Sequence, residues 1–141
     1  MVRTIILEVA RLTIIVVFCY AAVSKLLDFP RFTIQVSQSP LLTGFGDVIP
    51  ATVIASEMIV CVLLVMNRTR LAGFCLAYTI MVAFTAYIIV ILNFSPFIPC
   101  SCGGILEKLN WNEHLIFNVV LTAFALTAMV LQTRMTPKHL I

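Results

Sequence analysis

The sequence predicts an all-α membrane protein: a four-transmembrane-helix bundle with a short interfacial helix between helices 1 and 2 and a Cys-x-Cys loop between helices 3 and 4. Of the 141 residues, 62% are hydrophobic and 11% charged, against roughly 45–50% and about 25% in an ordinary soluble domain. A soluble fold of this length buries a core but cannot hide so much apolar surface. Four apolar runs are also long enough to cross a bilayer, which takes about 20 residues of helix. Backbone polar groups in lipid must be satisfied within their own segment, so these runs are helices rather than strands.

The spans are expected at about 4–27, 48–66, 71–92 and 114–132. No small-residue cleavage site follows the first run, so it reads as a retained span rather than a removed signal. The link from Asp28 to Asp47 contains Pro30, which suits a first helical turn. Phe32, Ile34, Val36 and Leu41 make this link apolar without giving it a spanning length. A short helix lying in the interface is therefore expected, followed by a turn at Gly44-Phe45-Gly46. Asn67-Arg68-Thr69-Arg70 is too short to be more than a turn. Before the last span, Asn110 can cap while Glu113 completes a capping box, and Trp111 suits the headgroup belt. With no internal repeat, low-complexity tract or linker, residues 1–141 read as a single domain.

The net charge of +3 does not point to nucleic acid, because no basic cluster is longer than the Asn67–Arg70 turn. The partner surface is the lipid bilayer. Arg3, Arg68, Arg70, Arg134 and Lys138 fall on one side, with Arg11 nearby; Lys25, Arg31 and Lys108 fall on the other. The positive-inside rule then places both termini in the cytoplasm and the loop after the third helix outside. In a bacterium that is a multi-pass inner-membrane protein with a periplasmic loop.

That loop contains Pro99-Cys100-Ser101-Cys102-Gly103-Gly104. Proline lacks a backbone donor and each glycine disfavours a sustained helix, so the two sulfurs are presented on a loop. On the oxidising side of a membrane a thiol pair tends to cycle through disulfides. A bridge across one intervening residue departs from relaxed geometry, which makes it easier to reduce and a better oxidant. Cys100 and Cys102 are thus the candidate catalytic pair. Two readings stand beside this one: unpaired structural cysteines, and metal binding. The latter is short of ligands, since a closed zinc site wants four and His114 is the one obvious third.

Glu57 lies near the centre of the second span, where a carboxylate suggests a buried partner or a proton path. Lys25, Arg11 or a hydroxyl would serve as partner in a packing role. Glu8 and Arg11, three apart, suit an intrahelical pair. Ser24 and Lys25 end the first span at about the depth of the cysteine loop. A lysine cation there would favour the attacking thiolate, or simply snorkel to the interface. His114 is a candidate base or cation toward the same sulfurs, or an interfacial histidine. Cys19, Cys61 and Cys75 sit in apolar helices, where free cysteines usually behave as small hydrophobes. Tyr20, Tyr87, Phe94 and Phe97 cluster toward the outer leaflet and are candidates to line a quinone pocket, although an aromatic belt accounts for them too.

Several segments carry a family pattern. Tyr20-Ala21-Ala22-Val23-Ser24-Lys25-Leu26 ahead of Phe32, and the Glu57 helix with Leu63-Leu64, resemble the DoxX-like membrane proteins. The Cys100-Ser101-Cys102-Gly103-Gly104 loop followed by Trp111, His114 and Asn118 is similar to their MauE branch, the methylamine-utilisation membrane proteins. The resemblance covers nearly the whole chain. It implies a four-helix membrane protein working in thiol–disulfide chemistry with a periplasmic thioredoxin-like partner. By position it makes Cys100 and Cys102 the redox pair, supported by Lys25, Glu57 and His114. The expected function is therefore a membrane thiol–disulfide oxidoreductase, with a membrane quinone as the other electron carrier by analogy. The alternatives are a non-enzymatic docking factor for a maturation partner and a thiolate metal-handling protein.

Overall fold

The computed structural model describes residues 1–46, 48–96 and 110–135; the Cys100/Cys102 loop, Phe97 and Lys108 lie outside them. Among the described residues every regular element is helical. In chain order these are α1 (Val2–Leu27), α2 (Phe29–Gln38), a 3-10 turn at Thr43–Phe45, α3 (Ile49–Val65), α4 (Arg70–Phe94) and α5 (Trp111–Met135).

Each long helix buries one stripe at helical spacing. On α1 the stripe is Leu7, Ala10, Ile14, Phe18 and Ala22, and on α5 it is Asn118, Leu121, Ala125 and Ala128. Intervals of three and four residues place such side chains on one face. The outward faces are apolar as well: Val9, Leu12, Val16 and Val23 on α1, Ile116, Val119 and Val120 on α5. Helices hydrophobic all round suit a lipid solvent. α1, α4 and α5 are long and apolar enough to span a membrane. α3 is apolar but has 17 residues, which at the helical rise is about 26 Å against a hydrocarbon core of about 30 Å. The chain is a multi-pass membrane protein.

α1 packs on α3 and α5, and α4 packs on the same two, so the four helices close a ring. The short α3–α4 link makes those two antiparallel. Near that link the helices approach closely: a Cβ at Gly73 would lie 2.8 Å from Leu64 Cδ2 and 3.0 Å from the Leu64 backbone nitrogen. The main core runs through all four helices and includes Ile14, Val60, Leu64, Phe74, Ala77 and Ala125.

The short helix expected after the first span is α2, with Pro30 in its first turn. It lays Phe32 and Val36 over a second small core with Ala22 and Ile54. Tyr87 on α4 fastens the far end of α2 by donating to Ser39 Oγ at 2.9 Å. α5 begins at Trp111, ahead of the expected start, and the Glu113 half of the expected capping box accounts for the added turn. The Asn110 N–H donates to Glu113 Oε2 at 3.0 Å, and the His114 N–H donates to the Asn110 carbonyl at 2.9 Å.

Candidate functional site

At the end of the bundle opposite the α3–α4 link, the helices part around a cavity of about 240 Å³. Phe18, Phe32, Phe84, Phe117 and Ile88 supply apolar wall, and Lys25, Glu57, Tyr87, Trp111, His114 and Asn118 supply the polar or amphipathic groups. A largely apolar cavity with a few convergent polar groups is the usual form of a small-molecule site. Ala83 on α4 lines the cavity and is itself exposed, so the cavity reaches the lateral, apolar surface of the bundle.

The polar centre is an ion pair between helices. Lys25 Nζ donates to Glu57 Oε1 at 2.7 Å, and the two side chains are 11% and 1% exposed. The same ammonium donates to the Ala21 carbonyl at 3.4 Å and stands 5.8 Å from the centre of the Phe32 ring. Of the partners open to Glu57 from the sequence, the fold selects Lys25. Arg11 is turned instead to Glu8 at 3.0 Å, and Glu8 also accepts from Arg70 at 2.7 Å.

The pair is only half satisfied. Glu57 Oε2 and His114 Nδ1 are both buried without a hydrogen-bond partner. Leaving a buried polar atom unpaired costs about 1–3 kcal/mol, so a fold rarely keeps one without a use for it. Here both belong to residues lining one cavity, which fits a ligand that brings its own donors and acceptors. His114 is held by its position in the first turn of α5 and lies beside Trp111, with ring centres 6.2 Å apart. Asn118, one turn on, spends its side-chain amide on the His114 carbonyl at 2.9 Å.

The structure thus brings together Lys25, Glu57, His114, Trp111 and Tyr87 from four helices. Ser24 is half-buried and is not part of the cavity wall. Tyr20 and Phe94 face outward, away from the cavity. Cys100 and Cys102 lie outside the described residues. Their segment joins Pro96 to Asn110, and these anchor points follow α4 and precede α5 at the cavity end of the bundle.

Two features escaped the sequence. The phenylalanines of the wall sit at ordinary core spacing, and nothing in that spacing separates a cavity wall from a packed core. The second is a thiol contact: Cys19 Sγ on α1 lies 2.9 Å from Cys61 Sγ on α3. Spacing within either helix carries no signal for it, because it depends on how the two helices are rotated. Cys75 is exposed on the outward face of α4.

Neither the curated proteins nor the solved structures return a match to this chain. The family comparison does, with the model described as methylamine utilisation protein MauE matching residues 3–131. That match runs through every described helix except Val2 of α1 and the last few residues of α5, and the chain belongs to the MauE family.

Proposed function

We propose that this protein is a bacterial inner-membrane thiol–disulfide oxidoreductase with four spanning helices, both termini in the cytoplasm and the Cys100/Cys102 loop in the periplasm. α3 crosses as the shortest span, at the lower limit of spanning length. The observation that carries the proposal is a coincidence at one end of the bundle. The half-satisfied Lys25–Glu57 pair and its cavity stand where the chain leaves for, and returns from, the segment bearing the two cysteines.

In the oxidising direction, a thiolate of a thioredoxin-like partner attacks one sulfur of a Cys100–Cys102 disulfide and forms a mixed disulfide. The partner's second thiolate then resolves it, leaving the partner oxidised and Cys100 and Cys102 as thiols. The dithiol returns to the disulfide by giving up two electrons and two protons. A membrane quinone in the cavity would accept both. Lys25 and His114 suit the carbonyl oxygens of such a headgroup, while Glu57 Oε2 is the site at which a proton can be held. The exposed Ala83 margin gives a lipid-soluble ligand a lateral way in.

A redox titration of Cys100/Cys102 against a thioredoxin-like protein, with and without a short-chain quinone, tests this. Thiol tagging should show the pair oxidised by quinone and reduced by the partner. A partner lacking its second cysteine should accumulate a mixed disulfide with the wild-type loop, and Cys100→Ser, which cannot form the loop disulfide, should abolish both that adduct and oxidation of the partner. Loop thiols that stay free throughout would remove the redox reading. Partner binding without any change in thiol count would favour the docking role.

A further inference from the structure

Cys19 and Cys61 are the two thiols in mutual contact among the described residues. Their sulfurs are 2.9 Å apart across the α1–α3 interface, against about 2.05 Å in a disulfide bond. Cys61 is 5% exposed and Cys19 is half-buried, and both pack into the main core between Ile14, Phe18 and Val60. Cys61 Sγ also reaches the Ile15 carbonyl at 3.7 Å, which holds the thiol toward α1. Two small apolar residues would fill the same space, but two facing sulfurs can also share a bond.

Their position relative to the cavity matters more than their proximity. Phe18, adjacent to Cys19, and Glu57, one helical turn before Cys61, both line the cavity. One turn is about 5.4 Å along the helix. Neither cysteine lines the cavity, but Cys61 follows Glu57 by one turn on the same face of α3, so the thiol pair lies about one turn from the carboxylate whose Oε2 lacks a partner.

We propose that Cys19 and Cys61 are a second redox-active thiol pair, inside the bundle, that closes to a disulfide between α1 and α3 by reducing a quinone bound in the cavity. Use of the cavity for quinone rests on the function proposed above; the pair itself does not depend on the loop cysteines. In the step, both S–H bonds break and one S–S bond forms. The two electrons and two protons pass to the quinone oxygens, giving one hydroquinone for each disulfide. Glu57 is the ionisable group placed to receive a thiol proton on the way. The product is a covalent tie between the two helices that carry Lys25 and Glu57, so the redox state of the pair would set how freely that ion pair can part.

The test uses full-length protein in lipid nanodiscs carrying Cys75→Ser, Cys100→Ser and Cys102→Ser, which keeps Cys19 and Cys61 alone. After reduction and removal of reductant, a short-chain ubiquinone analogue is added without oxygen. The sample is then quenched in acid and tagged with a maleimide in detergent. Labelling of both thiols should fall by roughly tenfold or more, with one hydroquinone formed per chain. Adding Cys19→Ser or Cys61→Ser should restore labelling of the remaining thiol and abolish hydroquinone formation. Circular dichroism checks the fold, and an alanine version of the same background stands in if the serines disturb it. Thiols that stay fully reactive after quinone overturn the proposal, and so does closure by diamide but not by quinone. The reciprocal protein, with Cys19→Ser and Cys61→Ser, reports quinone reduction by the loop pair separately, so failure of one reading is distinguishable from failure of the other.

Discussion

At the α3–α4 link end of the bundle, Glu8 accepts from Arg70 at 2.7 Å and from Arg11 at 3.0 Å, using one carboxylate oxygen for each. Toward the other end, Lys25 meets Glu57 at 2.7 Å through a single oxygen, and the second oxygen has no partner. The Glu8 side chain is 36% exposed and the Glu57 side chain 1%. Both contacts join α1 to another helix by the same chemistry, yet they do different work. In the first, at the rim, both carboxylate oxygens are paired, although the Nε of Arg11 and of Arg70 are buried without a partner. The second is buried, incompletely paired and bordered by a cavity, a combination that a purely structural contact does not need. The lesson is that an interhelical ion pair becomes a candidate site when burial, an unpaired lone pair and adjacent space coincide.

The largest effect expected from breaking this contrast is at the buried pair. Glu57→Ala should destabilise the protein by about 3–5 kcal/mol, because it leaves the Lys25 ammonium buried and uncompensated. Lys25→Met/Glu57→Leu should recover most of that stability, yet leave quinone reduction abolished. Thermal unfolding in a fixed detergent measures the first part and a quinone assay the second. A double variant that still reduces quinone would reassign the pair to packing.

Next comes the close approach beside the rim contact. Gly73→Ala drives a methyl group into Leu64 and its backbone, and should cost roughly 1–2 kcal/mol even after the better helix propensity of alanine. Denaturation midpoints decide it; an unchanged midpoint would mean that α3 and α4 separate there at no cost. If the midpoint falls as expected, that end of the bundle is held by packing more than by its charges.

Ala21→Phe fills the cavity while leaving the side chains of both ion pairs unsubstituted. It should weaken binding of a short-chain quinone by roughly tenfold, or about 1.4 kcal/mol, with helicity preserved. Unaltered binding by fluorescence quenching of Trp111, which borders the cavity, would place the ligand elsewhere.

The smallest change is expected at the rim. Glu8→Gln should cost about 0.2–1 kcal/mol, and less as salt is raised. A loss as large as that of Glu57→Ala would erase the distinction between the two pairs.

How far the site could be read in advance varies by residue. Glu57 declared itself, since a carboxylate inside an apolar run is too costly to persist without a buried partner or a proton to carry. Lys25 and His114 were visible as ionisable groups at the ends of their runs, and Asn110 with Glu113 marked the start of α5. The partner of Glu57 was not legible: Lys25, Arg11 and a hydroxyl all lay within reach along the chain, and helix rotation decided among them. Tyr20 and Tyr87 looked equivalent as outer-leaflet aromatics. One faces outward, while the other lines the cavity and holds Ser39.

By itself the sequence determined the helical class, the apolar runs, the short proline-led helix after the first of them and the membership of a membrane family. These follow from hydropathy and from local backbone preferences, which are properties of contiguous residues. Tertiary structure alone decided that Lys25 meets Glu57, that four helices leave a cavity between them, and that Cys19 lies against Cys61. Those outcomes depend on the azimuth and depth of one helix against another. In a chain whose helices are apolar all round, the pattern of side chains leaves that rotation unspecified until the helices pack.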